Sequence, residues 1–343
     1  MELDNHILYI DVTQACGIGC TFCMYDDLHD KDLSHLRIGG KAKSNLVRLV
    51  NDPSLKRVSI TGEGEPLNNT EAVWNILNLS GGKVSFELIT SGFWRHKRLL
   101  QFLRDLQEKA QQKGDNYNIR LSTDSYHIPK LKNIPQGRAV RFFIDEKPPS
   151  LSLSFRSIWC DKEYTRKFLL AQVDEFGLRG EIEEENDLED TLSVDGLSFP
   201  IVYKNLVNPW QCSRQDYMTL EEYIKAIEEK SGKPFTLGSI NPQHRPNGLD
   251  VTIKPDGRVL FYGLEIRSLG NIYHNDISIE GLKRMIEEDP LFRAFYTRPF
   301  LELMRRISDD EEARTIIERV NNPYWVVKTL HEKGKLDISR IVA

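Results

Sequence analysis

The chain is short of several things at once, and each shortage removes a class of protein. It has only five cysteines in 343 residues. That is too few for the disulfide framework of a secreted domain and suits a reducing compartment. It also lacks an excess of positive charge: 46 Lys and Arg stand against 51 Asp and Glu, a formal net charge of -5. A protein that grips nucleic acid through a broad basic surface is therefore not expected. No apolar run is long enough to span a bilayer, and the opening MELDNHILYIDV has the pattern of a strand, without the charged and apolar regions of a signal peptide. A cytoplasmic location with no membrane partner is the expectation. Repeats and low-complexity tracts are missing too.

What the chain does have is alternation. Its length suffices for one large α/β core with an appendage. Apolar runs at 7–12, 57–61, 84–90, 119–123 and 151–158 read as strands, and amphipathic stretches at 45–50, 71–79, 95–113 and 162–176 read as helices. Leu99, Leu100, Leu103 and Leu106 form a core stripe on the third of these helices. A proline-rich loop precedes the strand at 151–158. Strand starts recur at about the length of a βαβ unit, which predicts a parallel sheet with functional groups on loops at the carboxyl ends of its strands.

Beyond Gly177 the pattern changes. The acidic GEIEEENDLEDTLSVDG predicts a solvated hairpin excursion. A strand is expected at 199–206, a loop at 208–216 and a helix at 218–230. VTIKPDGRVLFYG reads as a β-hairpin turning at 255–257. From Asp289 onward, helices with apolar faces, such as that of Phe292, Phe295 and Tyr296, are expected to pack on the sheet domain or cover its mouth.

The strongest chemical statement is CGIGCTFCMY, which places Cys16, Cys20 and Cys23 in a CxxxCxxC spacing just behind the first strand. Three thiolates on one loop can hold three irons of a cubic 4Fe-4S cluster and leave the fourth open, whereas a closed cluster or a structural zinc takes four protein ligands. Zinc would want paired Cys or His elements, and the nearby His29 and His35 fall in HDKDLSH, which reads more simply as a solvated loop.

The second strand ends in Gly62, Glu63, Gly64, Glu65 and Pro66. Glycines let backbone approach a ligand and a carboxylate accepts hydrogen bonds from an ammonium, although a solvated Gly/Pro turn has the same composition. Thr90, Ser91 and Gly92 end the third strand, and Ser122 and Asp124 end the fourth with His127 just beyond. Ser152, Ser154 and Arg156 share one face at period two. An arginine there is costly to bury without an anionic partner, unless the position is an exposed edge.

Taken together these residues resemble the radical S-adenosylmethionine (SAM) superfamily: the cysteine triplet, an aromatic Phe22 before the third cysteine, a GGEP-like turn with Glu in place of one Gly, and a TNG-like end to the third strand. The resemblance implies a partial (β/α)6 TIM-like barrel over 1–215 and a small α+β extension over 216–343. It implies a 4Fe-4S cluster on Cys16, Cys20 and Cys23, with SAM chelating the open iron through its amino and carboxylate groups. An electron, supplied by a donor such as flavodoxin or ferredoxin, would cleave SAM to a 5'-deoxyadenosyl radical that takes hydrogen from a small-molecule or peptide substrate.

By the same resemblance Phe22 lies near the adenine, and Gly62, Glu63, Gly64, Glu65 and Ser91 lie at the methionyl part. Which glutamate acts is left open. Ser122 and Asp124 are implied at the ribose or methionyl part and Arg156 at the SAM carboxylate, with substrate contact by Asp124 or His127 equally compatible. The hairpin near 251–263 resembles a SPASM or twitch extension, but Phe261, Tyr262 and Gly263 stand where a cysteine is expected, so a cysteine-free remnant is inferred. Cys160 and Cys212 cannot build a second cluster between them; each is either a hydrogen donor or a small buried hydrophobe. The net reaction stays open between epimerisation, oxidation and rearrangement. The lack of a leader-binding domain before the first strand favours a small molecule, and the SPASM-like hairpin favours a peptide. A metal-binding or iron-sulfur barrel with a regulatory role is the alternative to an enzyme.

Overall fold

The computed structural model describes residues 4–21, 23, 25, 33–92, 99–205, 217–239 and 248–343. Phe22, His29, Cys212 and the whole of the loop expected at 208–216 lie outside them. Along the chain run β1 (His6–Asp11), α1 (Gly40–Val50), β2 (Leu55–Thr61), α2 (Thr70–Asn78), β3 (Ser85–Thr90), α3 (Leu99–Lys113), β4 (Asn116–Ser122) and α4 (Gln136–Glu146). Then come β5 (Leu151–Ile158), α5 (Lys162–Glu175), β6 (Gly180–Asn186), β7 (Glu189–Val194), β8 (Leu197–Lys204), α6 (Leu220–Ser231), β9 (Asp250–Ile253), β10 (Arg258–Phe261) and β11 (Gly270–Asn271). Helices α7 (Ile279–Glu288), α8 (Pro290–Thr297), α9 (Phe300–Ile307), α10 (Glu311–Arg319), α11 (Pro323–Glu332) and α12 (Ile338–Val342) complete it. These elements fall into two compact units, one of Asp11–Leu36 with Val58–Lys204, the other of Met1–Ile10, Arg37–Arg57 and Asn205–Ala343.

The cysteine-bearing unit is built on strands in the order β2-β3-β4-β5-β8-β7-β6. Pairing is parallel from β2 to β8 and antiparallel through β7 and β6. Alternation along each strand sorts the side chains into two faces. On one, Phe86 lies opposite Tyr117, Leu88 opposite Ile119, and Leu121 opposite Phe155, which in turn faces Ile201. All are buried, and α3, α4 and α5 pack against the strands beneath them. Helix α3 supplies Phe102, Leu103, Leu106 and Ala110, an amphipathic stripe in which each large side chain contributes about 1.5–3 kcal/mol of burial.

The other face is polar. Ser59 stands opposite Glu87, Glu87 opposite Asn118, Asn118 opposite Ser152, Arg120 opposite Ser154, and Ser122 opposite Arg156. Parallel strands usually carry apolar side chains on both faces, so this row is a departure that packing does not explain. Its members are bonded to one another: Ser59 Oγ donates to Glu87 at 3.1 Å, Asn118 Nδ2 to Ser154 at 2.9 Å, and Ser152 Oγ to Asn118 at 3.1 Å. Arg120 reaches Glu87 at 3.2 Å.

The α/β class expected of the sequence is what the chain adopts, but the sheet is open: among the described residues β6 pairs only with β7. The acidic segment is the β6–β7 hairpin, as predicted. Part of the stretch read as a proline-rich loop is instead helix α4. Pro135 and Pro148 bracket it rather than interrupt it, and Ala139, Val140, Phe142 and Phe143 give it a buried stripe.

In the second unit β1 pairs in parallel with β9, and β9, β10 and β11 form an antiparallel meander. Its hairpin turns where predicted, with Gly257 N donating to Lys254 O at 2.9 Å. Tyr262, where the resemblance would put a cysteine, stacks on Tyr9 at 4.5 Å and meets Tyr324 at 5.2 Å. Phe292 and Tyr296 of α8 pack edge-on against Phe261 at 5.0 and 5.6 Å. Among the described residues no helix is long and apolar enough to cross a membrane.

Candidate functional site

The cysteine loop leaves from and returns to one short clasp. Gln14 N donates to Ser34 O at 3.0 Å and Leu36 N to Val12 O at 3.0 Å, while Thr13 Oγ1 meets His35 Nδ1 at 2.8 Å. The role of His35 is thus to close the loop's base. Cys16, Cys20 and Cys23 are all half-buried thiols on this loop.

The turn after β2 lies backbone to backbone against the start of the loop. Gly64 N donates to Thr13 O at 2.9 Å and Glu65 N to Ala15 O at 2.9 Å. A Cβ on Gly62 would fall 2.9 Å from Thr13 O, and one on Gly64 would fall 2.3 Å from Ala15 O. Both glycines are therefore demanded by close approach. Position 63 between them carries a glutamate, whose side chain accepts a hydrogen bond from Gln14 Nε2 at 2.7 Å.

The two glutamates do different things. Glu65 is buried, accepting from Thr90 Oγ1 at 2.5 Å, Ser91 N at 2.9 Å, Ser91 Oγ at 2.6 Å and Leu67 N at 3.1 Å. Burial raises its pKa, against the pull of these donors. Glu65 and Ser91 are brought together, and both of Glu65's oxygens are occupied within the chain. Glu63 is half-exposed.

Further side chains hold the loop, none of them singled out from sequence. Asn68 Nδ2 donates to the carbonyls of Ala15 at 3.0 Å and Cys16 at 2.7 Å, and Asn69 Nδ2 to that of Val12 at 2.9 Å. Lys130 Nζ donates to Gly19 O. Two consecutive asparagines directly behind the GEGEP turn were the available signal, but their composition reads equally as a helix cap, and Asn69 does cap α2.

On the far side Asp124 is buried and grips His127 Nδ1 at 2.7 Å. Burial opposes Asp124's ionisation, yet the His127 charge and hydrogen bonds outweigh it and keep the carboxyl below its usual range. For His127 burial again opposes charge, and Asp124, then Cys20, raise its pKa well above the usual value. Both shifts favour the charged pair, which lies beside Cys20. Ser122 and Arg156 sit side by side on β4 and β5, while Phe22 falls outside the described residues.

The thiols also sense one another. Burial pushes Cys16 up to about 11, with Glu65, Cys20 and Cys23 adding to the rise and a backbone hydrogen bond at Ile18 opposing it. Such a thiol keeps its proton until a metal displaces it. Among the described residues no three His, Cys, Asp or Glu side chains form a ready-made metal cage. The donor set itself, three sulfurs on one loop, is the soft kind that an iron-sulfur cluster takes. No known protein-family profile matches the chain, and no curated protein matches its sequence.

Proposed function

We propose that this chain is a radical SAM enzyme, cytoplasmic, whose open parallel sheet is the wall of a partial barrel. The observation that carries the reading is the backbone contact between the Gly62–Gly64 turn and the CxxxCxxC loop. It joins two sequence motifs 40-odd residues apart into one structure beside three thiols, a juxtaposition that roughly random cysteines and a solvated turn would not need.

In this reading Cys16, Cys20 and Cys23 hold three irons of a 4Fe-4S cluster. When bound, cluster and SAM supply one-electron hydrogen abstraction, with 5'-deoxyadenosine as the coproduct. The chain's own groups bind and orient. Glu63, the half-exposed glutamate, receives the methionyl ammonium; Glu65 braces the Ser91 turn; Ser122 offers a hydroxyl to the ribose; and Arg156 offers a guanidinium fork to the carboxylate. Asp124 holds His127 against the loop. Phe22 keeps its place near the adenine. The substrate is a small molecule or peptide, and the electron comes from a flavodoxin- or ferredoxin-type donor.

Anaerobic reconstitution with iron and sulfide, followed by dithionite reduction in the presence of SAM, tests this. 5'-Deoxyadenosine should form with the native chain and not with Cys20→Ala. Equal yields from both, or none from the native chain with its cluster intact, would overturn the reading.

A further inference from the structure

Three cations crowd one region of the polar face. Arg156 of β5 lies opposite Ser122 and Val202, Arg120 of β4 opposite Ser154, and Lys204 of β8 opposite Ile158. Arg120 and Lys204 are thus the diagonal neighbours of Arg156 on the same face. Among the described residues, Glu87 is engaged by Arg120 at 3.2 Å and Asp124 by His127 at 2.7 Å. Among the described residues the Arg156 guanidinium makes no hydrogen bond or ion pair.

The crowding is felt electrostatically. Burial first, then the charges of Arg156 and Arg120, depress Lys204 to about 8, against the opposite pull of Asp124 and Cys23. Like charges gathered on a half-buried face cost stability, and a face arranged this way is complementary to anions. A single carboxylate on Arg156 would use one guanidinium fork and leave Lys204 at the strand's carboxyl end, where ligands of parallel sheets gather.

We propose that this face seats a second oxyanion besides the SAM carboxylate, a carboxylate or phosphate of the substrate held by Lys204 with Arg156 and Arg120 beside it, so that the substrate is an organic acid or phosphate ester. The inference rests on the radical SAM reading for the position of SAM, but not for the anion site itself.

The test is calorimetric titration of the full, reconstituted chain with inorganic phosphate and with acetate, each with and without saturating SAM. At least one anion should bind saturably, and should do so whether or not SAM is present. Lys204→Gln should weaken that binding by about tenfold or more, Lys204→Arg should restore it, and SAM affinity should be nearly unchanged in both. Competitive displacement of the anion by SAM would reduce the site to the methionyl pocket and overturn the proposal. So would anion binding as tight in Lys204→Gln as in the native chain, or no saturable binding. The competition arm uses only the native chain and decides even where a variant does not fold. Failure of SAM itself to bind would instead sink the radical SAM reading, while the anion titration stayed readable.

Discussion

Gly64 approaches Ala15 so closely that an added Cβ would sit 2.3 Å from the Ala15 carbonyl oxygen and 2.5 Å from its carbon. Neither is the end of a flexible side chain, so the loop must shift to admit it. Gly64→Ala should therefore separate the turn from the cysteine loop. We predict a loss of about 1–3 kcal/mol in stability and a cluster content well below that of the native chain after anaerobic reconstitution. Iron and sulfide analysis beside urea unfolding would check both, and native-like values in each would show that the contact is dispensable.

Asn68 spans the carbonyls of Ala15 and Cys16 with one amide. Asn68→Ala removes both hydrogen bonds without adding bulk, at a cost of about 1–2 kcal/mol. The expected signature is faster iron loss to a chelator, with the fold retained by circular dichroism. Unchanged chelation kinetics would contradict a holding role.

Away from the site, Asp190 is buried and takes two hydrogen bonds from Arg166, both at 2.8 Å, and one from Tyr203 Oη at 2.6 Å. This cluster ties α5 to the β6–β7 hairpin. Asp190→Ala leaves the Arg166 charge without its main partner, and a loss of about 3 kcal/mol is expected. Chemical denaturation measures it; a loss below about 1 kcal/mol would mean that solvent takes over Arg166 freely.

Glu184, on the same hairpin, gives a pH signature. Its hydrogen bonds with Lys162 and then Arg166 lower its pKa to about 2, against a slight opposing effect of burial. A carboxyl whose folded pKa is depressed contributes stability that is present above its unfolded value and lost as pH falls through the folded one. The native chain should accordingly lose stability between about pH 4.5 and 2 more steeply than Glu184→Gln. Because the side chain is exposed, added salt should shrink the difference. Parallel stability profiles for the two proteins would contradict the assignment.

Much of this was legible in sequence because periodicity reports burial. Strand β5 was read at its observed bounds, since Leu151, Leu153 and Phe155 alternate with Ser152, Ser154 and Arg156. The acidic hairpin and the turn near Gly257 also declared themselves through charge and turn chemistry. Helix α4 did not, because prolines at 135 and 148 suggest a loop whether they interrupt a helix or bracket one. At the site, sequence named the cysteines, the glycine turn and Arg156. It missed Gln14, Asn68 and Lys130, whose contacts join segments distant in the chain and leave no local pattern. Nor could it divide the work of Glu63 and Glu65, which depends on which side of the turn each side chain leaves. Arg120 and Lys204 went unread for a related reason: each looks like an ordinary strand residue until the register puts it beside Arg156.

The most direct measurement is electron paramagnetic resonance of the reduced, reconstituted chain with and without SAM. An iron left open by Cys16, Cys20 and Cys23 should give a reduced 4Fe-4S signal that shifts when SAM is added, and the signal should vanish in Cys16→Ala. A chain that takes up zinc instead of iron, or a cluster whose spectrum is indifferent to saturating SAM, would contradict the account.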